Sequence, residues 1–133
     1  MDEIIEELRA LNVEVLSPLE LPDDEDILEV ESQLLTTIDG DFRDFLLTVS
    51  DVICGSLEPV TAADPNSHTY LPEVAAVAWD QGLSREMLPL CESDGGYYCV
   101  DMEGQVLFWQ HGEYSEDSWE HVWLWVQDVW MVS

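Results

Sequence analysis

The sequence predicts an α+β fold in which helices pack against a small, twisted antiparallel sheet. Two observations lead to this prediction. Up to about residue 82, apart from an irregular stretch at 51–70, apolar residues recur at the three- and four-residue spacings of helices. Residues 87–110 instead form short extended segments separated by glycine-containing turns. Because the chain has 133 residues and no stretch typical of a linker, we expect a single domain over residues 1–133.

Three helices are expected in the first part of the chain. They cover residues 2–11, residues 24–37 and a segment that follows Asp39 and Gly40. Asp23 or Asp24 suits the cap of the second helix, and Asp39 suits the cap of the third. The residues expected on the buried faces are Ile4, Ile5, Leu8 and Leu11, then Ile27, Val30, Leu34 and Ile38, then Phe42, Phe45, Leu46 and Val49.

The middle of the chain predicts one more helix. Residues 51–70 look irregular, with one short extended piece at 57–60. A helix then starts at Leu71, because Pro72 suits a first turn, and Gly82 suits its end. The residues expected to face inward are Val74, Val77 and Ala78.

Residues 87–110 predict an antiparallel meander. The expected strands are residues 87–91, 97–101 and 105–110, joined by turns at 94–96 and 101–104. The first turn would place Cys91 opposite Cys99. The next segment, residues 111–118, is expected to be a loop.

The C-terminus predicts a final helix with a tryptophan-rich face. Its expected apolar stripe consists of Trp119, Val122, Trp123, Val126, Val129 and Trp130. Trp125 falls off that stripe and would be free for a dimer contact. The sequence does not determine the oligomeric state.

The charge of the chain is extreme. It has 30 acidic residues, three arginines and no lysine, and its formal net charge is −27. Such a surface repels nucleic acids and anionic membranes and attracts basic partners. We therefore expect a protein partner, no nucleic acid and no membrane. The alternative is that the acidity serves only solubility.

The sequence favours a cytoplasmic location. Its N-terminus is acidic where a signal peptide would be positively charged, and no apolar run reaches transmembrane length. The cysteines Cys54, Cys91 and Cys99 are odd in number, which fits a reducing compartment.

The sequence shows no catalytic motif, and we expect neither an enzyme nor a bound cofactor or metal. The cysteines and histidines lack the spacing of a zinc site, and no nucleophile elbow or phosphate loop is present. Cys91 and Cys99 are expected to be buried as small apolar residues. The acidic run at 23–26 lacks the ligand spacing of a calcium loop.

The strands carry aromatic residues that alternate between the two faces of the sheet. Tyr98, Val100 and Phe108 are expected to look inward, and Tyr97, Cys99 and Trp109 to point the other way. Either both faces are covered, or the second face is an exposed aromatic surface rimmed by acids. The second alternative gives the expected partner-binding residues, namely Asp94, Tyr97, Asp101, Glu103, Trp109, Glu113, Glu116 and Asp117.

Three stretches of the sequence resemble one family. They begin at Ile27, at Leu57 and at Leu88, and the third is the most specific. It contains Leu88-Pro89-Leu90-Cys91, Asp94-Gly95-Gly96-Tyr97-Tyr98-Cys99-Val100-Asp101, Gly104-Gln105-Val106 and Trp109-Gln110-His111. In these stretches, over roughly residues 20–131, the chain resembles the SUKH superfamily, named partly after a yeast regulator of cell-wall synthesis.

The resemblance implies an α+β fold and an interaction role. Many bacterial members are immunity proteins that bind and neutralise toxins, often nucleases, and others are non-enzymatic interaction modules. The expected function is therefore an immunity protein that binds a basic toxin. A regulatory scaffold without a toxin partner is the alternative, and a metal- or metabolite-dependent enzyme is a third possibility.

Overall fold

The computed structural model describes residues 2–38 and 40–133 and has the α+β architecture predicted from the sequence. Its helices are α1 (Asp2–Ala10), α2 (Asp24–Leu34), α3 (Gly40–Val49), α4 (Leu71–Asp80) and α5 (Val122–Trp125). Its strands are β1 (Leu88–Ser93), β2 (Gly96–Val100), β3 (Val106–Gln110) and β4 (Glu113–Trp119). The strands form one antiparallel sheet in the order β1-β2-β3-β4.

Helix α2 begins at a capping box. The Asp23 carboxylate accepts a hydrogen bond of 2.9 Å from the Asp26 amide, and the Asp26 carboxylate accepts one of 3.0 Å from the Asp23 amide. Asp23 is therefore the cap, rather than Asp24. The helix ends three residues before the predicted position 37, because Leu35 adopts a left-handed conformation with φ 59°. The expected cap of α3, Asp39, lies outside the described residues.

The predicted buried faces of α2 and α3 are confirmed, whereas that of α4 is partly wrong. In α4, Val77 is 51% exposed, and Ala75 is buried in its place. The buried positions Leu71, Ala75 and Ala78 follow the four- and three-residue spacing of one helix face. Two alanines on this face let α4 lie close to β1.

The first hairpin has a tighter turn than the sequence predicts. Asp94 and Gly95 both have positive φ, as a two-residue turn of the primed type requires. Strand β1 also carries an irregularity between Pro89 and Cys91, which shifts its register. Cys91 therefore lies opposite Tyr98, and the prediction that it faces Cys99 is wrong.

Residues 113–119 form a fourth strand, so the prediction of a loop at 111–118 is wrong. A two-residue turn at His111 and Gly112, both with positive φ, joins β3 to β4. Every residue of β4 up to Ser118 is exposed. An exposed strand lacks the apolar alternation by which strands are identified in a sequence.

The C-terminal helix changes its geometry after Trp125. A π-helical turn, Val126–Trp130, follows α5, and the Met131 amide donates a 2.9 Å hydrogen bond to the carbonyl of Val126. Trp125 is fully buried and stacks on Trp130, with ring centroids 6.3 Å apart. The prediction that Trp125 is free for a dimer contact is therefore wrong. The predicted helical position of Trp119 is also wrong, since it ends β4.

Apolar residues cover both faces of the sheet. The larger core lies between one face and the helices, and it includes Phe45, Trp123, Trp125 and Trp130. A smaller core lies on the other face, where Ala78, Leu83 and Met87 pack with Tyr97, Cys99 and Trp109. Among the described residues, no helix is both long enough and apolar enough to cross a membrane.

Candidate functional site

The structure separates the predicted partner-binding residues instead of bringing them together. Tyr97 and Trp109 are buried in the smaller core, where their rings stack with centroids 6.4 Å apart. Of the two alternatives for this face, coverage is therefore the one observed, and the exposed aromatic surface is wrong. The segment between α4 and β1 covers them, through Leu83 and Met87.

The acidic members of the predicted set lie in two places. Asp94 lies in the β1–β2 turn, and Glu113, Glu116 and Asp117 lie along β4. The loop 101–105, between β2 and β3, lies at the opposite end of these strands and contains the other two acids, Asp101 and Glu103.

The β2–β3 loop lines a wide cleft at this end of the sheet. The volume of the cleft is about 830 Å³. The residues after α2 and the start of α3 also line this cleft, together with residues 85–86, 88, 100 and 120–121. We call this space the acidic cleft. Its acidic lining residues are Asp41, Glu86, Asp101, Glu103 and Glu120.

The charge of the acidic cleft is almost uncompensated. Arg85 is the one arginine in its lining, and its guanidinium lies 4.2 Å from the ring centroid of Trp79. The other two arginines form ion pairs elsewhere, Arg9 with Asp51 and Arg43 with Asp24, each at 2.9 Å. The cleft therefore presents a negative potential to an approaching molecule.

Asp101 shapes the loop in which it lies. One of its carboxylate oxygens accepts hydrogen bonds from the amides of Glu103 and Gln105, each of 2.9 Å. These bonds close the loop as an aspartate turn. Asp101 therefore has a structural role in addition to its charge, whereas the side chain of Glu103 extends into solvent.

Two large apolar side chains stand exposed in the lining of the acidic cleft. Leu35 is 83% exposed and Met102 is 79% exposed. Leu35 also has φ 59°, a conformation that costs a residue with a Cβ about 1–2 kcal/mol. Neither residue was predicted from the sequence to lie in a binding site. The pair Leu34-Leu35 could have indicated one of them, because only the first leucine fits the helical stripe.

A second group of exposed apolar residues lies in the segment between α1 and α2. Leu11, which was predicted on the buried face of the first helix, follows the end of α1 and is 46% exposed, so that prediction is wrong. Near its start, two hydrogen bonds of 2.8 Å join this segment to Ile53, which follows α3. The Val13 amide donates to the Ile53 carbonyl, and the Ile53 amide donates to the Asn12 side chain. The exposed apolar residues of the segment are Leu11, Val13, Val15, Leu16, Leu19 and Leu21.

The thiols are poorly suited to nucleophilic chemistry. Burial raises the pKa of Cys91 and of Cys99 to about 12 each, and burial also raises the pKa of Cys54. A thiol with a raised pKa stays protonated at neutral pH, and the thiolate is the reactive form. The predicted burial of Cys91 and Cys99 as small apolar residues is confirmed, and Cys54 is buried as well.

Two of the three histidines, His68 and His121, contact other residues of the fold. In the acidic cleft, the His121 Nδ1 accepts a 3.2 Å hydrogen bond from the Leu124 amide and caps α5. His68 lies 3.0 Å from Glu58 on the surface. Within residues 2–38 and 40–133, no three histidine, cysteine or acidic side chains converge as metal ligands do.

Comparisons with known proteins agree with this fold. The family model described as SMI1-KNR4 cell-wall, SUKH_5, matches residues 1–131. A crystal structure described as that of a protein from Pseudomonas syringae pv. tomato is 54% identical in sequence. It superposes with a TM-score of 0.97, and the match covers 100% of both chains. No curated protein matches the chain.

Proposed function

The chain belongs to the SMI1-KNR4 family of SUKH proteins, and from this premise we propose that it is a non-enzymatic protein-binding module that neutralises a basic toxin by direct contact. The family is generally non-catalytic and supports an interaction role in general. The observation that carries the proposal is the acidic cleft, in which exposed Leu35 and Met102 lie among carboxylates.

The negative charge of the chain indicates that the proposed partner is a basic protein. A nuclease toxin needs a basic groove to hold the phosphate backbone of its substrate. The chain, with net charge −27, attracts such a groove at long range, and this attraction raises the association rate. Of the predicted acids, Asp101 and Glu103 line the cleft and would meet the partner first. Neutralisation of a delivered toxin would take place in the cytoplasm.

Burial of the exposed apolar residues of the cleft would stabilise the proposed complex and slow its dissociation. Full burial of a leucine or methionine side chain stabilises an association by about 1.5–3 kcal/mol. Leu35, just after α2, and Met102, in the β2–β3 loop, both line the cleft and are both exposed, so one inserted element of a partner could cover both. Interfaces of this kind combine an apolar centre with a polar rim.

A rescue assay tests the proposal. The chain is produced in cells together with a basic toxin encoded beside its gene, and cell survival is measured. The variant Leu35→Asn/Met102→Gln should lose protection and bind the toxin about 100-fold more weakly, as about 3 kcal/mol of lost binding predicts. The matched control is Leu28→Gln/Val77→Gln, whose leucine and valine are exposed outside the cleft. The control should protect the cells fully.

The outcomes separate this proposal from the alternative. Equal protection by both double variants would contradict the role of the acidic cleft. Capture of a cellular protein without toxicity, through the same cleft residues, would instead favour a regulatory scaffold. Turnover of a metabolite by the purified chain would contradict both.

A further inference from the structure

Strand β4 forms an open edge of the sheet. In the described part of the chain it pairs with β3 alone. The opposite edge is partly occupied, because Pro59 bridges to Cys91 and the Val60 amide donates a 2.8 Å hydrogen bond to Leu90. An unpaired edge presents a row of backbone donors and acceptors to another chain.

The register shows which backbone groups point outward. The two-residue turn at 111–112 makes Gln110 and Glu113 the hydrogen-bonded pair that closes the hairpin. Pairs of the two kinds alternate in an antiparallel ladder, so the next pair, Trp109 and Tyr114, is non-hydrogen-bonded. The N–H and C=O of Tyr114 therefore point away from β3, toward the open edge.

The edge lacks several of the devices that protect such strands. Natural edges are protected by proline, by charged side chains and especially lysine, by bulges, by short length or by a covering segment. Strand β4 has seven residues, none of which is proline or lysine, and it is exposed as far as Ser118. Its one irregularity, opposite Leu107–Trp109, leaves the register at Glu113 and Tyr114 intact.

Charge selects the occupant of the edge. Glu113, Glu116 and Asp117 lie on β4, and all are exposed. Pairing of two copies through this edge would bring six such carboxylates together, three from each copy, and like charges across a ladder are destabilising. A strand that carries lysine or arginine would instead place opposite charges there.

We propose that the β4 edge is a second docking surface, which accepts an extended, cationic segment of a partner protein as a fifth strand. Main-chain hydrogen bonds, including those of Tyr114, provide the pairing, and the three acids select a basic sequence. This surface differs from the acidic cleft, so the inference goes beyond the proposed function. If the inference fails, the proposed function is unaffected.

A synthetic peptide serves as the probe. It has about nine residues, the upper range of a strand, with alternating lysine and threonine, blocked ends and a fluorescent label. Its twin is fully N-methylated, which keeps the charges but removes every backbone donor. We expect fluorescence anisotropy to give at least tenfold weaker binding for the twin. Hydrogen exchange should show the Tyr114 amide protected only by the unmethylated peptide.

Variants of the chain locate the contact. Tyr114→Pro removes one edge-facing N–H and should weaken peptide binding at least tenfold, whereas Tyr114→Thr keeps that N–H and should stay within about threefold of the unaltered chain. Neutralising Glu113, Glu116 and Asp117 as amides should weaken binding more than neutralising the same number of exposed acids on α1. The α1 control set is Glu3→Gln, Glu6→Gln and Glu7→Gln.

Three results would overturn the inference. They are equal binding of both peptides, equal effects of the two neutralised sets, and the absence of peptide binding. If Tyr114→Pro does not fold, the two peptides still test the unaltered chain. The cleft variant Leu35→Asn/Met102→Gln should bind the peptide normally. If this variant loses binding while the β4 variants keep it, the edge is excluded and the proposed function stands.

Discussion

At the scale of single residues, Leu35 has two unfavourable features at once. Its side chain is exposed, and its backbone has the left-handed conformation that usually favours glycine at the end of a helix. Neither feature stabilises the folded chain by itself. Residues held in such conformations cluster at binding sites, which is consistent with a role for Leu35 in contacting a partner.

Replacement of Leu35 by glycine should therefore stabilise the chain. We expect Leu35→Gly to raise the free energy of unfolding by about 0.5–1 kcal/mol, because relief of the left-handed conformation outweighs the added freedom of the unfolded chain. Urea denaturation measures the change. The control Leu28→Gly, at an exposed position inside α2, should lower stability by about 1 kcal/mol. A loss of stability in Leu35→Gly would show that the leucine side chain contributes to folding.

The buried thiols predict a loss of stability in alkali. Burial raises the pKa of Cys91 and of Cys99 from 9.0 to about 12. In the unfolded chain these thiols lose their protons near pH 9, whereas the folded chain keeps them. The free energy of unfolding is therefore unaffected by these groups well below pH 9. It falls as the pH rises toward 12, by up to about 1.4 kcal/mol per pH unit for each thiol.

Urea titrations in a reducing buffer from pH 7 to 9.5 measure this slope below the range in which tyrosines ionise. Cys99→Ala should make the free energy of unfolding fall less steeply with pH, because one of the two thiols no longer contributes. A pH-independent midpoint over that range would contradict the assignment of neutral, buried thiols.

At the scale of elements, the C-terminal segment offers a matched pair of tryptophans. Trp125 and Trp130 are both buried and stack on each other. The indole N–H of Trp130 donates a 3.1 Å hydrogen bond to the carbonyl of Cys54, whereas that of Trp125 has no partner among the described residues. The two positions therefore differ in hydrogen bonding while their burial is alike.

Replacement by phenylalanine should separate packing from hydrogen bonding. Trp130→Phe leaves the Cys54 carbonyl without its indole partner, whereas Trp125→Phe removes a buried donor that was already unsatisfied. We expect Trp130→Phe to be more destabilising than Trp125→Phe by about 1–2 kcal/mol, measured by thermal and urea unfolding. Equal losses would mean that packing alone determines the stability of this segment.

The same scale shows what local sequence patterns can predict. The buried faces of α2 and α3 could be predicted because each helix presents its apolar residues to one core at regular spacing. Strand β4 could not, because its side chains up to Ser118 face solvent and carry no apolar alternation. The π-helical turn could not either, since it changes the spacing that brings Trp125 and Trp130 together.

At the scale of the whole molecule, the sequence predicted the charge of the candidate site but not its position. A net charge of −27 follows from composition alone. Alternation placed Tyr97 and Trp109 on one face of the sheet, yet coverage of that face depends on residues 83–87, a contact that no local pattern shows. The acidic cleft likewise joins the end of α2 to the β2–β3 loop, which lie far apart in the sequence.

The uncompensated charge predicts opposite effects of salt on folding and on binding. The three arginines are already engaged, so most carboxylates repel one another across the folded surface. Sodium chloride screens this repulsion, because the Debye length falls from about 30 Å at 0.01 M to about 3 Å at 1 M. We expect the melting temperature to rise with sodium chloride over this range, while the affinity for the cationic peptide falls.

Both quantities can be measured on the same samples, by calorimetry and by fluorescence anisotropy. The triple variant Glu3→Gln/Glu6→Gln/Glu7→Gln serves as a control. It removes negative charge that is distant in sequence from β4 and from the acidic cleft. This variant should have a higher melting temperature in low salt and a smaller response to added salt, since less repulsion remains to be screened. A melting temperature that falls with salt would show that the ion pairs of Arg9 and Arg43 outweigh the repulsion, and that the acidity is balanced locally.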